Sequence, residues 1–345
     1  MQCGSRSTVE SRRVEVVAEG RVAACGVVRA LALPIVLLMV LGFYAGAQIA
    51  PADNGLAPEY YRLSVDVNLV VLHATVRDRQ GRFVSDLHEQ NFEVYEDGMP
   101  QHIRLFRHED IPVTVGLVVD HSGSMRRKLH DVTTAARSFV QFSNPEDEMF
   151  VVNFNETVLL GLPEKIRFSN DSAALGGAIW RAPAFGETAL YDAVVRALER
   201  LQEGSRDKKV LLVISDCGDN ASSHSLAQVT GIAERSSALI YTIGLFDEGD
   251  QDQNPRVLHR LAQATGGESF FPGQLSEVVG ICERIAREIR NQYTIGYVPT
   301  AAARSGAYRT IRVTARTTGN GKLFVRTRTG YITKGEAPGK SGVPK

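Results

Sequence analysis

Residues 112–125 read PVTVGLVVDHSGSM. Val113, Val115, Leu117, Val118 and Val119 make a near-continuous apolar run, the pattern of a strand buried on both faces, and the run stops at Asp120, His121, Ser122, Gly123 and Ser124. Polar oxygens are thereby gathered at a strand's carboxyl end. Met125, Leu129, Val132, Ala136, Phe139 and Val140 follow at helical spacing, so the Asp-x-Ser-x-Ser segment is expected to turn a core strand into a helix. In open α/β sheets such a crevice holds ligands. Two readings of the triplet stand side by side: ordinary helix N-caps, which favour Asp and Ser, or oxygen ligands for a small hard cation such as Mg²⁺, with Gly123 permitting the tight turn.

Downstream the chain alternates as a doubly wound sheet would. Residues 149–154 (MFVVNF) and 157–160 (TVLL) read as a hairpin split at Asn155 and Glu156, and Leu190, Ala193, Val194, Ala197, Leu198 and Leu201 form a helical stripe. A second buried strand, VLLVI at 210–214, also ends in acids, at Ser215, Asp216, Cys217, Gly218 and Asp219. ALIYTIG at 238–244 is a third. A helix from about 255 to 264 closes at Gly266 and Gly267, Ser269–Phe271 is a short edge strand, and a last helix carries Leu275, Val278, Val279, Cys282, Ile285, Ala286 and Ile289 inward. The expected fold class is α/β, a mainly parallel doubly wound sheet with helices on both faces.

The flanks read differently. Leu63, Val65, Val67, Leu69 and Val71 alternate with polar residues, and short strands are expected at 83–84, 92–95 and 101–106. YTIGYV (293–298), YRTIRVTA (308–315) and LFVRTRT (323–329) alternate too, with a hairpin turn at Gly319, Asn320 and Gly321. Segments so separated bury their apolar faces by packing together, which predicts one composite β-sandwich from 60–110 and 292–335.

Asp-x-Ser-Gly-Ser-Met after an apolar strand, Thr188 opening T-A-L-Y-D-A, and V-I-S-D-x-G-D-N at 213–220 resemble a von Willebrand factor type A domain over about 111–291. The flanks LVVLHATVRDRQGRFVSDLHEQNFEVYEDG, RNQYTIGYVPT and VRTRTGYI are similar to those of the bacterial secreted VWFA-related family best known from acidobacteria. The resemblance implies a metal-ion-dependent adhesion site. Ser122, Ser124 and Thr188 would supply hydroxyls, and Asp120 and Asp216 would hold the cation directly or through water. The cation would be Mg²⁺, with Mn²⁺ or Ca²⁺ as alternatives, and its shell would be completed by an Asp or Glu carboxylate of a protein partner. Two charged ligands leave the cation only just neutralised, so an acidic oxygen remains attractive. Asp219 is a candidate behind the ligands. His121, Glu187 and Asp192 read as bystanders on the rim.

Arg21 and Arg29 precede the apolar run ALALPIVLLMVLGF (30–43), and Ala45, Gly46 and Ala47 follow as a small-x-small site. That reads as a secretory signal peptide cleaved after Ala47, the alternative being an uncleaved anchor, against which the run is short of the ~20 apolar residues of a span and contains Pro34. The expected organisation is a signal peptide (1–47), a linker (48–59), the amino-terminal segment of the sandwich (60–110), the type A domain (111–291), the carboxy-terminal segment of the sandwich (292–335) and a disordered tail (336–345). The product is secreted or periplasmic, without a membrane span after cleavage. Lys plus Arg equals Asp plus Glu at 39 each, which gives no reason to expect a nucleic-acid partner. After cleavage only Cys217 and Cys282 remain, too few for a disulfide framework. Three functions compete: a cation-dependent adhesion or assembly module, a structural module with a vestigial site, and a metal-assisted hydrolase, whose one local candidate base is His121. A nucleophile elbow and a phosphate-cradling glycine loop are both missing from the sequence, which argues against an enzyme.

Overall fold

The structure is a computed structural model and describes residues 69–216, 218–247, 254–301, 304–317 and 322–333. The signal peptide and its cleavage site, the linker, the strand residues before 69, Cys217, the Gly319–Gly321 turn and the tail lie outside the described residues. Four strands come first: β1 (Val70–Arg77), β2 (Phe92–Glu96), β3 (Met99–Gln101) and β4 (Ile103–Arg107). The alternating region follows as β5 (Val113–Asp120), α1 (Leu129–Phe142), β6 (Glu148–Phe154), β7 (Val158–Leu160), α2 (Ser172–Ile179), α3 (Leu190–Leu201), β8 (Lys208–Ser215), α4 (Leu226–Arg235), β9 (Leu239–Gly244), α5 (Pro255–Thr265), β10 (Ser269–Phe270) and α6 (Glu277–Arg290). The chain ends in β11 (Tyr293–Tyr297), β12 (Tyr308–Ala315), β13 (Phe324–Arg326) and β14 (Gly330–Ile332).

Every residue of β5 is buried because the strand lies inside a six-stranded sheet, ordered β10-β9-β8-β5-β6-β7 and parallel except for β7. The close fit shows at Gly116, where a Cβ would lie 2.6 Å from both Leu211 and Phe150 side-chain atoms. Helices α1, α2 and α6 pack together, and α3, α4 and α5 form a second group, which covers the sheet on both faces. β6 lies to one side of β5 and β8 to the other, so the connections leaving β5 and β8 diverge here. This is the topological switch point of an open α/β sheet. Asp120 and Asp216 stand at it.

Several local expectations are corrected. The turn after β5 is a 3-10 segment, Gly123–Arg127, and α1 begins at Leu129 rather than at Met125. Helices α2 and α4 escape periodicity: SAALGGAI is apolar on nearly every side, so it shows no stripe, and LAQVTGIAER is weakened by Gly and β-branched residues. Their caps were the available signals. Asp171 accepts from Ala173 N and Ala174 N, and Ser225 with Gln228 forms a capping box.

The flanking strands form two antiparallel four-stranded sheets, β13-β1-β11-β4 and β14-β12-β2-β3, each drawing on both ends of the chain. Leu72, Val76, Phe92, Val94, Tyr293, Ile295, Tyr297, Ile311 and Val313 fill one hydrophobic core between them. The strand expected at 101–106 is split because the chain crosses between sheets, and the one expected at 323–329 is shorter and is followed by a further strand in the other sheet. Residues 99–101 pair with β2 while 103–107 pair with β11, and 324–326 pair with β1 while 330–332 pair with β12. Phe83 makes only an isolated bridge to Arg77. Among the described residues no helix is long and apolar enough to cross a membrane.

Candidate metal centre

The five residues singled out from sequence fall on three segments around the switch point. Asp120 ends β5 and is fully buried; its Oδ1 accepts from Ser122 N at 2.7 Å and its Oδ2 from Ser215 Oγ at 2.5 Å. Burial pushes its carboxyl up to about 6, against the pull of those hydrogen bonds and with the charge of Asp216 adding to the rise. Ser124 Oγ donates to Asp216 Oδ1 at 2.9 Å and lies 3.1 Å from Ser122 Oγ. Two hydroxyls from the β5 turn and the carboxylate at the end of β8 therefore meet directly.

Thr188 arrives by a third route. Gly123 N donates to Gly186 O at 3.2 Å and Phe185 N to His121 O at 3.0 Å, which bind the loop before α3 to the β5 turn. Gly186 lets the same loop pack closely on Glu156, with φ +75° and a Cβ position that would fall 1.8 Å from Glu156 Oε2. The same Glu156 oxygen accepts from Glu187 N at 3.0 Å, so the Glu187 backbone is part of the brace. Thr188 itself is buried, its N–H bonded to Asn220 Oδ1 at 2.7 Å and its carbonyl accepting from Asn220 N and Ala221 N.

Helix α3 starts at Leu190 with Ala189 as N-cap and no side-chain cap of its own. Its orphan donors are satisfied from across the gap: Tyr191 N donates to Asp219 Oδ1 and Asp192 N to Ser222 Oγ, each at 3.0 Å. Asp192 returns the favour, accepting from Ser223 N, Ser223 Oγ, His224 N and His224 Nδ1 at 2.7–3.0 Å. Burial raises its carboxyl, but these donors prevail and hold it down at about 2. Asp192 is thus no bystander; it is the hub that fastens the 219–224 loop to α3. Asp219 takes its place as a cap for the helix.

His121 is also corrected. It points inward and is fully buried. Burial lowers its pKa, against the pull of hydrogen bonding with the Ala182 backbone and the Asn153 side chain. Its backbone N–H donates to Phe154 O and its carbonyl accepts from Phe185, so the residue fixes the turn rather than its rim. The hydrolase reading thereby loses the base it relied on.

Sequence reasoning missed Lys128. Its ammonium, 5% exposed, donates to Asp216 Oδ2 at 2.7 Å and to Leu245 O at 2.8 Å, and it pairs with Asp247 Oδ2 at 2.8 Å. Burial pulls the ammonium down, and Asp216 and Asp247 more than offset this, so its pKa stands above the ordinary value. Position 128, one turn after Ser124, was the only hint.

Among the described residues no group of three or more His, Cys, Asp or Glu is placed to hold a metal. What does converge is a chain of hard oxygens in which Ser124 Oγ lies 3.1 Å from Ser122 Oγ and 2.9 Å from Asp216 Oδ1, with a second buried carboxylate one hydrogen bond away through Ser122 N. That donor chemistry fits Mg²⁺ or Ca²⁺ and suits softer, thiolate-seeking metals poorly.

Residues 115–219 match the family model described as von Willebrand factor type A domain, and this stretch of the chain is a domain of that type. No curated protein sequence matches the chain. Similar solved structures include a von Willebrand factor type A protein from Catenulispora acidiphila, at 12% identity and TM-score 0.47, covering 79% of this chain and 76% of that one. BatB from Bacteroides thetaiotaomicron is similar at 14% identity and TM-score 0.41, over 51% of this chain and 98% of its own. The vWF domain of the type V pili tip protein Mfa5 from Porphyromonas gingivalis follows at 13% and 0.43, over 52% and 95%.

Proposed function

We propose that this chain, on the premise of its von Willebrand factor type A domain, is an extracytoplasmic binding module that holds an acidic group of a protein partner through a divalent cation. Ser122, Ser124 and Thr188 would offer hydroxyl oxygens to the cation, and Asp120 and Asp216 would hold it directly or through water. The bound cation would supply a positive centre that an Asp or Glu carboxylate of the partner can ligate. The observation that carries this reading is Ser124 Oγ, at the sheet's switch point, lying 3.1 Å from Ser122 Oγ and 2.9 Å from Asp216 Oδ1. Asp216 is already paired with the Lys128 ammonium, which offsets part of the site's negative charge. An acidic partner oxygen is then attracted rather than repelled.

Export to the periplasm or beyond is supported by the apolar 30–43 run and the Ala-Gly-Ala site after it. Titration calorimetry of the full chain with MgCl₂, MnCl₂ and CaCl₂, followed by a glutamate-bearing peptide with and without EDTA, tests the reading. Cation binding, and peptide binding abolished by EDTA, are expected. Peptide binding indifferent to EDTA would reject the shared cation.

A further inference from the structure

Among the described residues Lys128 is the buried cation beside the oxygen set, and its geometry is complete. An ammonium has three N–H donors, and three oxygens surround this one: Asp216 Oδ2, Asp247 Oδ2 and Leu245 O, at 2.7–2.8 Å. The residue is supplied by the very segment that supplies Ser122 and Ser124, and it reaches across to the ends of β8 and β9. Asp216 is divided in consequence. One oxygen faces Lys128 and the other accepts from Ser124 Oγ.

A divalent cation drawn to Asp216 would share that carboxylate with the ammonium. Two like charges then face each other across one anion, and each weakens the other's hold. Burial sharpens the effect, since Asp216 is fully enclosed and Lys128 is 5% exposed, leaving little water to screen it. An additional carboxylate placed on the cation by a partner would relieve the imbalance.

Resting on the cation-site reading above, we propose that Lys128 is a built-in counter-charge that loosens the site's hold on a bare divalent cation and so makes cation and acidic partner bind interdependently. Its counterpart Asp247, with a side chain 66% exposed, partly offsets the ammonium and sets how strong the attenuation is. By linkage, whatever factor the partner's carboxylate adds to cation affinity, the cation adds to partner affinity. Lys128 is therefore a specificity device: it favours the ternary complex over the cation-loaded protein alone.

The test is calorimetric titration of Mg²⁺ into the full chain as wild type, Lys128→Met, Lys128→Arg and Asp247→Asn, each with and without acetate as the carboxylate probe. Lys128→Met is expected to bind Mg²⁺ about tenfold tighter without acetate, the low end of what one neighbouring charge does to a carboxylate's affinity for a cation. Acetate should then enhance Mg²⁺ binding less than it does in wild type. Lys128→Arg should stay near wild type, and Asp247→Asn should bind Mg²⁺ more weakly while leaving the buried core untouched, so the proposal stays testable if Lys128→Met fails to fold. Mg²⁺ binding that is unchanged or weaker in Lys128→Met, or tighter in Asp247→Asn, would overturn it while leaving the cation site intact. Wild type that binds no Mg²⁺ with or without acetate would overturn the site and this inference together.

Discussion

Glu288 on α6 offers the sharpest stability test. Its carboxylate is fully buried and accepts from the Arg77 and Arg326 guanidiniums, from Tyr241 OH at 2.7 Å and from Thr75 Oγ at 3.1 Å. Arg77, Thr75 and Arg326 belong to the sandwich strands β1 and β13, while Tyr241 belongs to β9 of the parallel sheet. One carboxylate therefore joins the two halves of the fold. Replacing it by Ala leaves two guanidiniums poorly paired, with the partly exposed Glu268 as their remaining carboxylate among the described residues. Breaking a buried pair from one side costs about 3–5 kcal/mol. At about 2–4 °C per kcal/mol for a large domain, the expected fall in Tm is on the order of 10 °C. Burial alone would raise the Glu288 pKa; Arg326 and Arg77 outweigh it, so the folded pKa is lowered. The stabilisation is thus present above the ordinary glutamate pKa and lost as pH falls through the lowered folded value. Urea unfolding of wild type and Glu288→Ala across pH should show a gap that is full at neutral pH and narrows in acid. In a double-mutant cycle with Arg326→Ala, the double variant should cost clearly less than the sum of the singles. A Glu288→Ala cost below about 1 kcal/mol at neutral pH would refute the reasoning, because an exposed pair is worth that little.

Asp192→Asn should destabilise the protein by about 2 kcal/mol at neutral pH, the equivalent of holding its pKa at about 2 rather than 3.8. The difference from wild type should vanish as pH falls from about 4 through 2, and hydrogen exchange should speed up at residues 219–224. Gly186→Ala should lower stability by about 1–3 kcal/mol, since position 186 combines φ +75° with contact against Glu156, and the variant Gly186→Ala/Glu156→Ala should recover only the contact contribution. Gly116→Ala, whose new methyl would press on Leu211 and Phe150, should cost about 1–3 kcal/mol in urea unfolding while leaving the site residues' environment unchanged.

The α/β layer was legible because its strands are two-sided and apolar and its long helices carry clean stripes, as in α3 and α6. The short β segments of the flanks were legible as β but not by register, since residues 99–107 and 323–332 each serve two sheets and nothing in their alternation marks the crossing. In the site, the residues at strand ends announced themselves as acids and hydroxyls after an apolar run, and the structure brings Asp120, Ser122, Ser124 and Asp216 together. Their supports did not. Lys128 looks like any surface lysine of a helix start, and Asp192 like a first-turn acid; only the tertiary fold sets them against Asp216 and the 219–224 loop. His121 failed for a related reason, because a polar residue in a turn reads as solvated until the turn is seen to fold over it.

The central claim, that the oxygens at the switch point hold a divalent cation, is tested most directly by thermal unfolding of the full chain with and without Mg²⁺, beside Asp120→Ala. At a Mg²⁺ concentration about 100 times the dissociation constant, binding to the folded state alone adds about 2.7 kcal/mol. That corresponds to a rise in Tm of roughly 5–10 °C. The account expects this rise in wild type and its loss in Asp120→Ala. An equal rise in both, or none in wild type at any Mg²⁺ concentration, would contradict it.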